Sequence, residues 1–286
     1  MPYIKLNNAG MKIFYIFHGA GVKDRNNDNQ RYAVLIHGAG GNHLSMLSIF
    51  NYIKIKFGAT YNILVPDLPF HFRSASAAGN PAEINFLMPE NDGITFYAST
   101  VNLLTSELFE YNKNIVLIGH SMGAQVCIKY ASLFPENIEK IMLIAGCHNT
   151  GISDSFINSL TNSFDRTIML FLQDALGSRD KNILNKALAD VKRTPAQVVV
   201  NDFKYSKYYG YSMNYKKDID LINSDYGKIF FNIIYSEKDL IIRPECVKEL
   251  SKKISNSAIN SIPAKNHLDF LYGNYYMEKE INKFLK

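Results

Sequence analysis

Apolar residues along the 286-residue chain fall into two patterns. Short uninterrupted apolar runs occur at 32–37, 61–65, 115–118, 141–144 and 229–234, bounded by glycine or polar residues. A strand with one face in water alternates apolar and polar positions, so a run without alternation predicts a strand buried on both faces, as in a parallel sheet. Between the runs, apolar positions recur at helical spacing and predict helices over 45–56, 96–111, 122–134, 244–254 and 275–285. Thr95 is the expected cap of the second, and Pro135 ends the third. Residues 3–18 read as an antiparallel hairpin with a turn at Asn8-Ala9-Gly10. The polar stretch 22–31 has no period and reads as a loop, and a last strand is expected at 258–262. The fold class is therefore α/β: a mostly parallel sheet of about eight strands with helices on both faces.

The strand and helix rhythm stops after residue 144 and resumes at 229. Within the gap, Thr194-Pro195-Ala196-Gln197 has the form of a capping box with proline at the first helical position, predicting a helix over 197–204. Residues 149–223 read as a helical cap inserted into a core made of 1–148 and 224–286. The insertion is rich in aromatic residues, among them Phe156, Phe164, Phe171, Phe203, Tyr205, Tyr209 and Tyr215. These either pack the cap onto the core or line an apolar pocket.

Composition removes several classes of function. With 47% hydrophobic and 20% charged residues, the chain is neither a disordered polymer nor a coiled-coil rod. The net charge of +5 comes from scattered basic residues, which leaves no nucleic-acid footprint. No run of apolar residues is long enough to span a membrane, and the start lacks the form of a signal peptide. Three cysteines, Cys127, Cys147 and Cys246, lack CxxC spacing, which argues against a disulfide framework or zinc site and for a reducing, cytoplasmic location. Cys127 and Cys147 read as small buried hydrophobes.

The most specific signal is Gly119-His120-Ser121-Met122-Gly123, a G-x-S-x-G sequence directly after a buried strand and directly before a helix. That context is what a serine held on a tight strand-to-helix turn requires. Two further stretches accompany it: Val34-Leu35-Ile36-His37-Gly38-Ala39-Gly40-Gly41, and Val65-Pro66-Asp67-Leu68-Pro69. Together they resemble the α/β-hydrolase superfamily over nearly the whole chain outside the cap. The resemblance implies Ser121 as nucleophile, with backbone amides of Ala39 and Met122 forming an oxyanion hole. A serine hydroxyl needs a base oriented by a carboxylate. The family places its histidine after the last strand, which here is His267, in the order serine, acid, histidine. Its acid follows the penultimate strand. There the family spacing selects Asp239, with Ser236 in place of a usual glycine and Glu237 as the alternative. Asp67 reads as a structural turn residue, and Asp154 lies too far along the chain.

Phe70 and Phe72 stand where relatives commonly have glycine, a departure expected to narrow the pocket or reshape the loop, and Ala124 replaces a frequent second glycine after the serine. Gly38, Phe156, Phe171 and Phe203 are the expected substrate-binding residues. No metal-ligand spacing and no dinucleotide fingerprint occurs, so no cofactor is expected. The expected partner is a small-molecule substrate, with a homodimer left open. The resemblance implies an esterase or thioesterase for small to medium apolar acyl groups, working through an acyl-enzyme. The same triad also serves C–C bond hydrolysis, lyase, peptidase or acyl-transfer chemistry, and a non-enzymatic binding protein is the remaining alternative.

Overall fold

The computed structural model describes residues 3–6, 11–19, 31–77, 89–109, 114–224 and 229–286. The turn expected at Asn8-Ala9-Gly10 and most of the loop at 22–31 lie outside them. Eight strands form one sheet: β1 (Tyr3–Leu6), β2 (Met11–His18), β3 (Arg31–Ile36), β4 (Tyr61–Pro66), β5 (Ile115–His120), β6 (Ile138–Ile144), β7 (Phe230–Tyr235) and β8 (Ser257–Ser261). Their spatial order is β1-β2-β4-β3-β5-β6-β7-β8. The first two strands run antiparallel to their neighbours and all other pairings are parallel.

The uninterrupted apolar runs have a direct cause in this layering. Along β3, Val34 and Ile36 face one core cluster while Ala33 and Leu35 face the other, so every position from Tyr32 to Ile36 is buried. Helices α3 (Gly93–Phe109), α4 (Met122–Leu133) and α10 (Pro244–Lys253) supply the first cluster. Helices α1 (Leu47–Phe57) and α11 (Tyr275–Leu285) supply the second. A short α2 (Phe72–Ala77) follows β4. Strand order reverses at β3, which has β4 on one side and β5 on the other. At such a switch point the loops leaving the carboxyl ends diverge and open a crevice.

Between β6 and β7 the described residues form the helices α5 (Asp154–Asn162), α6 (Phe164–Leu176), α7 (Lys181–Val191), α8 (Ala196–Tyr211) and α9 (Met213–Ser224). Ser153 and Asp180 cap α5 and α7 through their side chains, and Gly177 ends α6 in the left-handed conformation. The segment has its own apolar cluster around Leu160, Ile168, Val199 and Phe203. A buried ion pair, Lys129 to Asp218 at 2.8 Å, ties α9 to α4. None of the described helices is long and apolar enough to cross a membrane.

Three expectations are corrected. Helix α3 begins at Gly93, so Thr95 lies in its first turn and not at its cap. The capping box at Thr194 does not form: Thr194 Oγ1 accepts from the Phe72 amide, Gln197 bonds Asn201, and α8 runs on to Tyr211. Finally, Cys147, after β6, is disulfide-bonded to Cys246 in α10. A sequence separation of 99 residues carries no local signature, and only the adjacency of β6 and β7 brings the two together. The thiol-based argument for a reducing compartment falls with this bond. Cys127 is a free buried thiol, and burial pushes its pKa up.

Candidate active site

Ser121 occupies the single position between β5 and α4, with φ 55° and ψ −120°. A residue other than glycine is strained there, and the flanking glycines are steric necessities. A Cβ on Gly119 would sit 2.3 Å from Gly123 O, and one on Gly123 would sit 2.3 Å from Ile36 O. The Ala124 methyl fits because residue 146 is glycine: a Cβ there would lie 2.3 Å from it.

His267 Nδ1 donates to Asp239 Oδ2 at 2.8 Å, and both side chains are buried. Asp239 Oδ1 in turn accepts from the amides of Ile241 and Ile242 at 2.9 and 3.0 Å, which fixes the carboxylate. Glu237 points elsewhere, taking hydrogen bonds from Tyr235 Oη and Lys248 Nζ on the exposed surface. Ser236, in the usual glycine position, donates to Ala264 O at 2.7 Å and joins the Asp239 and His267 loops. His120 Nε2 donates to His267 O at 3.1 Å. Burial, then the neighbouring His267, lowers the His120 pKa to about 3, so it stays neutral in this supporting role.

The loop after β3 is held from both sides. His37 Nδ1 and the Gly41 amide both donate to Gly38 O, at 2.9 and 3.0 Å. His37 Nε2 accepts from the Leu68 amide at 3.1 Å, and burial, then the nearby His71, lowers its pKa to about 4. The Gly40 amide donates to Asp202 Oδ2 at 2.8 Å. Asp67 Oδ1 accepts from the His43 amide and ring, and Oδ2 from the Arg73 amide, an arrangement that braces the turn after β4.

Phe70 and Phe72 do not narrow the site. Both adopt positive φ, 66° and 37°, so the backbone follows the glycine path with phenylalanine side chains. Phe70 packs on Phe96, and Phe72 stacks on His43.

These loops surround a cavity of about 270 Å³. Its floor comprises Gly38, Ala39, Ser121, Met122 and His267; Phe156, Phe171, Phe203, Leu268 and Ile241 are among its walls. The three phenylalanines contact one another, with ring centroids 5.1 to 6.1 Å apart. Of the residues singled out from sequence, Asp239 stands behind the wall and reaches the cavity through His267. Asp202 was not anticipated. Its signal is a carboxylate among Val198, Val199, Phe203 and Ser206, the buried face of α8 at helical spacing.

A curated relative, human Protein ABHD8, is 30% identical over 121 residues, 42% of this chain, and the aligned part spans only 24% of that protein's length. Among solved structures, an esterase from Exiguobacterium antarcticum matches with TM-score 0.76 at 16% identity, covering 99% of this chain and 98% of that one. The enol-lactonase from Burkholderia xenovorans matches with TM-score 0.73 at 15% identity over 99% of both chains. At these identities the structural matches establish fold. The sequence profile of the alpha/beta hydrolase fold matches residues 34–274, from the buried strand before Gly38 to beyond His267, and the chain belongs to that family.

Proposed function

We propose that the protein is a serine hydrolase of carboxylic esters or thioesters with a small to medium, largely apolar acyl group, and that residues 149–223 act as a cap on a core of 1–148 and 224–286. The observation that carries this reading is that a strained serine and a histidine held by a buried carboxylate line the same apolar cavity. Because His267 Nδ1 is committed to Asp239, Nε2 is the nitrogen left to take the Ser121 proton. The Ser121 oxygen adds to the acyl carbon, and the amides of Ala39 and Met122 receive the charge that develops on the carbonyl oxygen. The Met122 amide is unused by its own helix, being at the first turn, and the positive end of α4 favours the same charge. His267 then returns the proton to the departing alkoxide or thiolate. Water, deprotonated by the same nitrogen, cleaves the acyl-enzyme and releases the carboxylic acid. A cavity of about 270 Å³ falls just below the range of about 300–1,000 Å³ usual for ligand sites, which favours short acyl groups. Two proteins sharing the fold bear the names esterase and enol-lactonase, both in keeping with an ester-type bond.

The test is covalent labelling with a fluorophosphonate, with peptide mapping, beside p-nitrophenyl acetate, butyrate and octanoate and an acetyl thioester. The expected result is a label on Ser121, absent in Ser121→Ala, and hydrolysis that requires Ser121. Full hydrolysis by Ser121→Ala, or a wild type that neither labels nor hydrolyses, overturns the reading.

A further inference from the structure

We infer, on the hydrolase reading above, that Asp202 of α8 is a positioning residue that sets the oxyanion hole, so that the cap takes part in transition-state stabilisation as well as covering the substrate. Asp202 is wholly buried and accepts from three parts of the core. The Gly40 amide and His71 Nε2 donate to Oδ2, each at 2.8 Å, and Tyr97 Oη donates to Oδ1 at 2.7 Å.

The consequence follows from peptide planarity. The Ala39 N–H lies in the same rigid plane as Gly38 O, which is pinned by His37 Nδ1 and the Gly41 amide. The next plane ends in the Gly40 N–H, which Asp202 pins. Both planes that meet at the Ala39 Cα are therefore held, one by the core and one by the cap, and the Ala39 amide is aimed by their combination. Gly40 has φ +64°, and a Cβ on it would lie 3.1 Å from Val199 Cγ1, so α8 seats directly against the loop.

A bare carboxylate two residues' reach from an oxyanion site would oppose the charge developing there. His71 removes that conflict. Its Nδ1 faces Pro69 O at 3.0 Å and its Nε2 faces Asp202, both acceptors, an arrangement that favours the doubly protonated, cationic ring. Burial is the largest influence and works against that charge, but Asp202, the Pro69 carbonyl and Asp67 together outweigh it and the His71 pKa is raised. The cap carboxylate thus acts on the loop as a neutralised pair, with strong geometry and little net field.

The test compares Asp202→Asn, Asp202→Ala and Tyr97→Phe with wild type on p-nitrophenyl acetate, well below each melting temperature, together with inhibition by an alkyl trifluoromethyl ketone that mimics the tetrahedral adduct. Expected for Asp202→Ala is a fall in kcat of about 10²-fold with KM within about 2-fold, because a misaimed donor is felt only as charge develops. Ketone affinity should fall by a similar factor. A folded Asp202→Ala enzyme with wild-type kcat, or losses of kcat that merely follow melting temperature, overturns the inference while the hydrolase reading stands. A wild type that neither labels at Ser121 nor hydrolyses overturns both. Should neither Asp202 variant fold, Tyr97→Phe decides: a loss in kcat of about 5-fold or more at unchanged KM supports the role, and unchanged kcat overturns it.

Discussion

Ser121 sits at φ 55°, where glycine rests without strain and serine stores about 1–3 kcal/mol. Ser121→Gly is therefore expected to unfold at higher urea than Ser121→Ala, by about 1 kcal/mol, although both lose hydrolysis. A Ser121→Gly variant less stable than Ser121→Ala by about 0.4–1 kcal/mol, the entropy cost of glycine alone, would mean that the turn holds no strain. The acid can be tested by charge-neutral exchange. Asp239→Asn leaves the shape but disturbs the His267 tautomer, and should reduce kcat by roughly 10³–10⁴-fold. Glu237→Gln changes only an exposed contact with Lys248 and Tyr235, and its kcat should match wild type. The reverse ranking would reassign the acid. Glycine spacing made Ser121 legible because the turn is governed by local sterics. Asp202 escaped because its partners, Gly40, His71 and Tyr97, lie on three distant stretches of chain.

Among the elements, α5, α6 and α8 each bring one phenylalanine to the cavity. Phe203 is buried, so truncation there removes core packing at a cost of about 3–5 kcal/mol. Phe156 and Phe171 are half-buried and report more cleanly on specificity. Phe156→Ala is expected to raise kcat/KM for octanoyl relative to acetyl esters, since each added methylene that fits contributes about 0.8 kcal/mol. Uniform losses that track melting temperature would show that the ring only holds α5 in place. The loop after β6 is tied to α10 by the Cys147–Cys246 bond, which closes a long stretch of chain and restricts the unfolded state. Cys246→Ser should lower stability by about 2–4 kcal/mol without reductant, and the difference should vanish when wild type is reduced. A persistent difference under reduction would place the effect in packing.

Across the whole molecule, buried histidines of opposite character shape the response to pH. His37 and His120 have pKa values lowered from 6.5 to about 4 and about 3. Unfolded chains take up those protons near pH 6.5 while the native state does not. Stability is therefore full above pH 6.5 and falls on acidification through the window toward pH 4, by roughly 1 kcal/mol per pH unit for each histidine. His71 has the opposite sign: its raised pKa contributes stability that is full below pH 6.5 and is lost as pH rises through the folded value. Urea midpoints from pH 4 to pH 9 should pass through a maximum near neutrality, and His120→Asn should flatten the acid limb. A profile that is level from pH 6.5 to 4 would contradict the buried neutral assignment.

Burial on both faces of a strand writes itself into sequence as an uninterrupted apolar run, which is why β3, β4, β5, β6 and β7 could be placed without coordinates. The Ser121 turn was legible for a related reason, since backbone crowding admits only glycine at 119 and 123. Other decisions belonged to tertiary structure alone. Thr194 has the local form of a cap, yet the Phe72 amide takes its hydroxyl. Phe70 and Phe72 hold glycine-like angles because the surrounding packing dictates the backbone path. The bond from Gly40 to Asp202 spans 162 residues, and the disulfide spans 99. Local sequence encodes the sterics and burial of neighbouring residues. Which distant groups become partners is set only when the sheet order and the seating of α8 bring their loops within hydrogen-bonding reach.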